Sequence, residues 1–170
     1  PAQPIVKRDG YCKQQYGAIR PRVTNISNAA LPYTYKWRDT LKALNEVAAA
    51  GERDAHDGIL LEYTHPLTGG PTMPTIGCWV QMIPPGETTK AHRHTSSGIY
   101  HVVQGQGLTA VGKSKGAPKD LAWGAHDCFF VPSWNWHYFK NASSTEPAII
   151  FSVTDRPVLE SLGLFREEEA

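Results

Sequence analysis

Three histidines stand at positions from which they could bind one metal ion together. His92 and His94 are separated by a single residue, so in a β-strand both side chains point to the same face. Arg93, between them, then points to the opposite face. His137 follows a Pro-Ser-Trp-Asn-Trp segment, and a third imidazole from another strand would complete a facial set of ligands for a divalent transition metal. The pattern predicts a metal site with part of its coordination sphere open.

The other histidines are predicted to have ordinary roles. A single histidine is more often a hydrogen-bonded core or surface residue than a ligand, and we expect this of His56, His65 and His126. Three imidazoles suit zinc, manganese, nickel and copper as well as iron. The spacing therefore predicts a site without deciding which metal occupies it.

The elements that must position these histidines are mostly β-strands. From residue 58 onward, short runs of β-favouring residues alternate with turns rich in proline and glycine. Such a series is typical of an all-β barrel or sandwich. The predicted strands cover residues 59–63, 75–83, 99–103, 108–111, 128–131 and 148–153.

The two ends of the chain differ from this β-rich part. Residues 1–36 lack periodicity and are predicted to form an extended arm that needs another surface to lean on. Apolar residues recur at helical spacing over 37–50, and Gly51 is a natural stop, so one amphipathic helix is predicted there. The acidic residues 167–169 are interpreted as a solvated tail.

Composition narrows the classes of function. The 170 residues include 17 basic and 16 acidic ones, and a net charge of +1 gives no long-range attraction to nucleic acid or to an anionic membrane. No apolar run approaches the length of roughly 18 residues that a membrane helix needs. Cys12, Cys78 and Cys128 are odd in number and lie far apart, which indicates reduced thiols in a cytoplasmic protein.

Several polar and aromatic residues could line a pocket at the metal. Trp134 and Trp136 lie just before His137 in sequence. They could form a slot for a flat substrate, although they could equally fill a small barrel. Trp79 and Gln81 lie on the predicted strand before the His-x-His pair. Strand alternation allows their side chains to face the same pocket.

The residues around the histidines resemble the two sequence motifs of the cupins, which implies a double-stranded β-helix, or jelly-roll barrel. The matching positions are Gly86, His92, His94 and Gly105 in the first motif and Pro132, His137 and Asn141 in the second, with His126 and Trp134 where glycines are usual. Gly98 occupies the place of the glutamate ligand of the first motif. The resemblance therefore implies a site with three histidines and no carboxylate. His101, the rival ligand, lies three residues after that place and is left outside the ligand shell.

The flanking segments 56–58, 61–77 and 152–158 resemble the gentisate 1,2-dioxygenase family, which includes salicylate and 1-hydroxy-2-naphthoate dioxygenases, over residues 31–167. The resemblance implies Fe(II), one ion per cupin, and opening of an aromatic ring whose carboxylate and hydroxyl chelate the metal while dioxygen takes the remaining position. Members usually carry two cupins in one chain and assemble as homo-oligomers. This chain resembles their C-terminal half, so an N-terminal cupin half is predicted to be missing from it.

Two departures from the family concern the substrate. In the catalytic cupin of the family, an arginine and a second histidine stand at the positions that are here Tyr100 and Phe139. An aromatic acid thereby loses a bidentate partner and an acid/base group. Tyr100 and Arg93 remain the nearest candidates for catalytic or substrate contacts, although Arg93 is expected to face away.

The sequence thus predicts an arm and linker helix over residues 1–57 and an all-β cupin barrel over 58–170. The leading hypothesis is the metal-binding cupin of an iron(II)-dependent ring-cleaving dioxygenase for a hydroxylated aromatic carboxylate. The alternatives are a cupin that retains metal for assembly without catalysis, and a cupin that binds a small molecule without redox chemistry.

Overall fold

The computed structural model describes residues 33–66 and 68–170. Residues Thr34–Ala170 form one compact unit. The predicted arm falls almost entirely outside the described residues, and so does Cys12. Within the described part of the chain, no helix is long and apolar enough to cross a membrane.

The compact unit is built mainly from short strands. In chain order they are β1 (Ile59–Tyr63), β2 (Gly77–Ile83), β3 (His92–His94), β4 (Gly98–Gln104), β5 (Gly107–Gly112), β6 (Lys119–Trp123), β7 (Cys128–Val131), β8 (Trp136–Asn141), β9 (Ala148–Thr154) and β10 (Glu167–Glu169). Every strand predicted from the sequence is present. The predictions missed β6, and they placed the start of β2 two residues early.

The strands form two antiparallel sheets. The first has the order β1-β2-β9-β4-β7, and the second has the order β10-β3-β8-β5-β6. One apolar cluster joins residues of both sheets: Val102 and Ile150 come from the first, while Trp123 and Phe139 come from the second. From β2 to β5, and again from β6 to β10, consecutive strands alternate between the two sheets, so the two inner faces enclose the core of a jelly-roll barrel. The predicted all-β barrel is confirmed.

Two helices accompany the barrel. The first, α1 (Trp37–Ala49), confirms the predicted helix, and Gly51 follows it with a φ of +75°, a backbone conformation that glycine adopts without strain. Its buried Leu44 packs with Ile59 of β1 and Val80 of β2. The predicted division of the chain after residue 57 stays a prediction, but the helix before that point packs on the barrel.

The C-terminal segment differs from its prediction. A second helix, α2 (Arg156–Ser161), was not predicted; it is only six residues long and begins with Arg156-Pro157, which offers little periodic signal. The residues interpreted as a solvated tail form β10, which pairs with the histidine-bearing strand β3. Their side chains are exposed, so the acidic composition was consistent with a tail, but backbone hydrogen bonds decide the structure.

Candidate metal centre

The three predicted histidines come together inside the barrel. One ligand atom of each of His92, His94 and His137 lies within 4.8 Å of those of the other two. His92 and His137 are directly opposite each other on β3 and β8, and their ring centroids are 4.3 Å apart. The His94 ring lies 5.0 Å from that of His137. The barrel thus brings together imidazoles that are 43 positions apart in sequence.

The environment keeps these imidazoles neutral, as metal ligands must be. Burial lowers the pKa of His92 to about 2, with the neighbouring imidazoles adding to the effect. Burial likewise lowers the pKa of His137 to about 4 and lowers that of His94. Among the described residues, His92 Nδ1 and His137 Nε2 have no hydrogen-bond partner, and both atoms are buried. Neutral, unpartnered ring nitrogens that converge on one point fit a divalent metal ion, which would accept their lone pairs.

Neighbouring groups fix the orientation of two of the rings. His137 Nδ1 lies 3.0 Å from the carbonyl oxygen of Asn135, and donating there leaves Nε2 free for a metal. His94 Nδ1 lies 2.9 Å from the carbonyl oxygen of Ser96 and 2.9 Å from its hydroxyl. The amide of Trp134 donates to the carbonyl of His94 at 2.8 Å, which ties the segment before β8 to β3. The ligands are therefore held by short backbone contacts as well as by the strands.

The other motif residues shape the turns around the centre. His126 and Trp134, which replace the usual glycines, have φ values of 74° and 59°, so the left-handed backbone persists without glycine. Asn141 is buried, and its amide donates to the carbonyls of Ile83, Pro84 and Glu146 at 2.8–3.1 Å. This asparagine therefore fastens loops of both sheets and does not face the histidines.

Gly98 stands where a glutamate ligand would project, and an aromatic ring fills that space. A Cβ at Gly98 would lie 2.8 Å from Cε2 of Tyr100 and 3.2 Å from its hydroxyl. The Tyr100 ring is itself packed, stacking on Phe129 at 5.1 Å and contacting Phe139 at 5.4 Å. Burial, aided by Asp57, raises the pKa of Tyr100 well above its usual range. Tyr100 is a neutral phenol in the place of the absent carboxylate.

Gly98→Ala is expected to destabilise the fold by about 2 kcal/mol, because the new methyl overlaps a ring that cannot move freely. In a Tyr100→Ala background the same change is expected to cost little, which a double-mutant cycle of urea unfolding measures. Gly116→Ala is the matched control, since a Cβ there meets nothing within 4 Å. Additive effects of the Gly98 and Tyr100 changes would contradict this account of the site.

Arg93, predicted as a candidate contact, lies on the opposite face of β3 from the histidines. Its Nε donates to Glu168 of β10 at 2.8 Å. Its guanidinium lies 4.4 Å from the ring centroid of Trp134 and 4.7 Å from that of Trp136. The two tryptophans, predicted as pocket residues, thus stack on this arginine. None of the three lines the cavity beside the metal centre.

A polar cavity of about 50 Å³ adjoins the centre at His94. Trp79, Gln81 and Tyr100, all named from the sequence, line it. A cavity of about 360 Å³ also lies between α1 and β1, but none of the three histidines lines that one. Of these two cavities, only the small one is lined by one of the three histidines, so it is the candidate site for a ligand at the metal centre.

Asp57 also lies at the site, although it was not predicted there. Its Oδ2 lies 3.9 Å from Nε2 of His92, and it lines the cavity. Burial raises its pKa to about 7, with Asp54 and Glu167 adding to the effect. Asp57 lies in the segment 56–58 that resembles the family, but 35 positions before His92 it carries no signal of a role at the site. Only the packing of the segment before β1 places it here.

The rival ligand His101 lies away from the centre. In β4 the side chains of Tyr100 and Val102 are buried, whereas His101 points to the outer face. There its Nδ1 lies 3.4 Å from Sγ of Cys128, directly opposite on β7. His126 stacks near His101 at a centroid distance of 6.4 Å. His56 is nearer to the centre, since its ring contacts that of His92 edge-on at 5.2 Å.

We expect the two described cysteines to differ in reactivity. Cys128 is exposed, whereas burial raises the pKa of the half-buried Cys78 thiol. Because the thiolate is the nucleophile, iodoacetamide at pH 8 is expected to modify Cys128 at least about tenfold faster than Cys78. Peptide mass spectrometry over time measures both rates, and unfolding in urea is the control that should equalise them. Equal rates in the folded protein would contradict the burial of Cys78.

Comparison with known proteins places this centre in a family. The family model described as "Cupin domain" matches residues 79–154, a range that includes all three histidines. The chain carries a cupin domain, as predicted.

Curated relatives identify the group within the cupins. A 5-aminosalicylate 1,2-dioxygenase of Comamonas is 39% identical over 95% of this chain, and a 1-hydroxy-2-naphthoate 1,2-dioxygenase of Nocardioides strain KP7 is 36% identical over 88%. A gentisate 1,2-dioxygenase of Haloferax is 33% identical over 98%. The chain belongs to the gentisate 1,2-dioxygenase family, as its motifs predicted. It spans only 42%, 37% and 47% of the length of these three relatives.

Solved structures agree with this relationship. A variant of the salicylate 1,2-dioxygenase from Pseudoaminobacter salicylatoxidans, in complex with gentisate, superimposes with a TM-score of 0.68 at 25% sequence identity. The similarity covers 79% of this chain and 36% of that one. The fold of the compact unit is thus shared with one part of a longer dioxygenase.

Proposed function

We propose that the intact protein is an iron(II)-dependent ring-cleaving dioxygenase for a hydroxylated aromatic carboxylate of the gentisate, salicylate or 1-hydroxy-2-naphthoate type. In this proposal the cupin described above holds one metal ion. The observation that carries it is the convergence of three neutral imidazoles, two of them buried and His94 half-buried, in a chain whose relatives are named as dioxygenases of such acids. Iron(II) is the metal proposed, because the family resemblance implies it.

In the proposed enzyme the residues around the metal centre would have different roles. His92, His94 and His137 would hold the metal on one side and leave positions for a ligand on the cavity side, where the ion would act as a Lewis acid and redox centre. Gln81 and Tyr100 would orient a ligand from that side, and Trp79 would bound the cavity. Arg93, Trp134 and Trp136 would stiffen β3 and the segment before β8 from the other face.

The partners proposed are those of a longer protein. Relatives more than twice as long as the matched region support a second cupin, which we propose lies N-terminal to this one. Assembly as a homo-oligomer is proposed because the family resemblance implies it. A cytoplasmic location is also proposed. The free thiols of Cys78 and Cys128 are consistent with it.

A second function is favoured by two specific residues. Tyr100 occupies the space beside Gly98, and Phe139, at the position of the family's second histidine, is fully buried in the core. Neither offers an aromatic acid a charged partner or a second acid/base group. This cupin would then retain metal to stabilise the assembly, while ring cleavage takes place in the other half.

One experiment separates these functions. The full-length protein, purified without a histidine tag, is analysed for metal and then for oxygen uptake with gentisate, salicylate and 1-hydroxy-2-naphthoate, as wild type and as His137→Ala. Loss of turnover with an intact oligomer supports catalysis at this centre. Unchanged turnover with a weakened oligomer supports the structural role. Absence of oxygen uptake with all three acids in the iron-loaded wild type would overturn the dioxygenase proposal for these substrates.

A further inference from the structure

The small cavity beside His94 is lined mainly by groups that form hydrogen bonds or carry charge. The polar and charged residues of its lining include Asp57, Gln81, Tyr100, Arg156 and Glu167. They come from the segment before β1, from β2, β4 and α2, and from β10. A cavity with so many polar groups on separate elements is built to hold something polar.

Gln81 provides the most specific indication of a ligand. Its side chain is 2% exposed, and Nε2 has no hydrogen-bond partner among the described residues. Leaving a buried amide donor unpaired costs about 1–3 kcal/mol, so native proteins rarely keep one without a use. Because Nε2 donates, the missing partner must present an acceptor atom, most simply an oxygen.

Arg156 brings a positive charge to the same cavity from an element that carries no cupin motif. Its guanidinium carbon lies 4.2 Å from the ring centroid of Phe165 and 5.5 Å from that of Trp79. Phe165 in turn stacks near His94 at a centroid distance of 6.3 Å. Nε of Arg156 donates to Glu160 at 2.7 Å, and its side chain remains one-third exposed. The aromatic rings thus hold this cation at the edge of the metal centre, where the family's usual arginine is replaced by Tyr100.

The charged groups around the cavity determine which ligand charge is favoured there. A divalent metal ion bound by the three histidines would bring two positive charges and Arg156 brings one, while Asp57 and Glu167 are negative when ionised. Glu160 is ion-paired with Arg156 and is counted as well, so the balance is zero when Asp57 is ionised and one positive charge when it is protonated. A monoanion therefore fits this balance better than a dianion. Glu167 is directly opposite His94 in the sheet, so its carboxylate faces the same side as that imidazole.

The size of the cavity selects the size of the ligand. In the same measure of volume one water molecule needs about 10–15 Å³, whereas a protein cavity that binds benzene measures about 150 Å³. The cavity of about 50 Å³ therefore has room for about three or four heavy atoms, the number in formate or acetate, and not for an aromatic ring.

We propose that this cavity is a binding subsite for a small carboxylate monoanion, of the size of formate or acetate, whose oxygen accepts a hydrogen bond from Gln81 while Arg156 balances its charge. The inference rests on the metal centre of the proposed function, in the form in which ring cleavage takes place in the other half, and it assigns to this cupin a ligand that is distinct from the aromatic acid of the intact enzyme. The Tyr100 hydroxyl lies on the same cavity and can donate to the second oxygen.

The test uses the chain loaded with cobalt(II), whose visible spectrum reports ligands at the metal. Acetate and formate are expected to change the spectrum saturably, and equimolar salicylate to leave it unchanged while the protein retains its cobalt. Gln81→Leu and Arg156→Gln are each expected to weaken acetate binding about tenfold, as the loss of a charge-assisted hydrogen bond or of the balancing charge predicts. Gln106→Leu and Arg38→Gln, at exposed positions, are the matched controls and should bind acetate as the wild type does.

Each result bears on the proposal. Salicylate that binds as tightly as acetate would overturn the proposed subsite. Unchanged acetate affinity in both Gln81→Leu and Arg156→Gln would also overturn it. Neither result would contradict the metal centre. If Gln81→Leu does not fold, Gln81→Glu replaces it, and its carboxylate should repel acetate at least as strongly. A wild-type chain that binds no cobalt overturns the metal centre and this subsite together. Oxygen uptake by the full-length protein tests the dioxygenase function independently of all of these.

Discussion

His137→Ala is expected to reduce the metal content of the chain from about one equivalent to a small fraction, because a site of three neutral imidazoles loses one of its ligands. Loss of a residue that only orients a ligand typically weakens metal binding 10- to 100-fold, so loss of a ligand is expected to weaken it by about 100-fold or more. Elemental analysis after dialysis against a weak chelator measures the content, and a metal titration followed by thermal unfolding measures the affinity.

The matched control for this change is His101→Ala. His101 is the nearest rival in the sequence, but it lies on the outer face beside Cys128. Its removal should leave metal content and the metal-dependent rise in melting temperature unchanged. Equal loss of metal in the two variants would show that the triad is not the binding site.

The metal-free protein is expected to lose stability steeply as the pH falls below 6.5. The pKa values of His92 and His137 are lowered to about 2 and about 4, whereas in the unfolded chain both titrate near 6.5. Between pH 6.5 and 4 the unfolded chain therefore binds protons that the folded chain does not, and each such histidine costs about 1.4 kcal/mol per pH unit. His94, whose pKa is also lowered, acts in the same direction.

Asp57 acts in the opposite direction over nearly the same range. Its folded pKa of about 7 lies above the unfolded value of 3.8, so the folded protein takes up this proton first and gains stability as the pH falls. The net expected loss between pH 6.5 and 4.5 is about 2–4 kcal/mol, which urea unfolding of chelator-treated protein at a series of pH values measures.

Asp57→Asn sharpens the test, because it removes the compensating group. The variant is expected to lose stability more steeply than the wild type over the same pH range, whereas an exposed control, Asp120→Asn, should follow the wild type. A metal-free protein whose stability is flat between pH 6.5 and 4.5 would be incompatible with three imidazoles that the fold keeps neutral.

The prediction from sequence succeeded where the signal was local. Period-two spacing placed His92 and His94 on one face of a strand and Arg93 on the other, and turn residues bounded the strands that carry them. The helix over Trp37–Ala49 was predicted because its apolar spacing and the following glycine are both local features. The strand β10 was not predicted from its acidic residues. A short edge strand depends on backbone hydrogen bonds to a partner that is distant in sequence, and composition does not encode those bonds.

The motif spacing also predicted the three candidate ligands, which the structure brings together, and the absence of a glutamate at Gly98. What the sequence could not determine is what fills the space around them. Only the tertiary structure decided that Tyr100 takes the place of the glutamate, that Asp57 and Arg156 approach the centre from unrelated segments, and that Trp134 and Trp136 hold Arg93 instead of lining a pocket. The physical reason is that ligand geometry follows from the regular period of a strand, whereas a cavity is the volume left between side chains of many elements, and that volume depends on long-range packing.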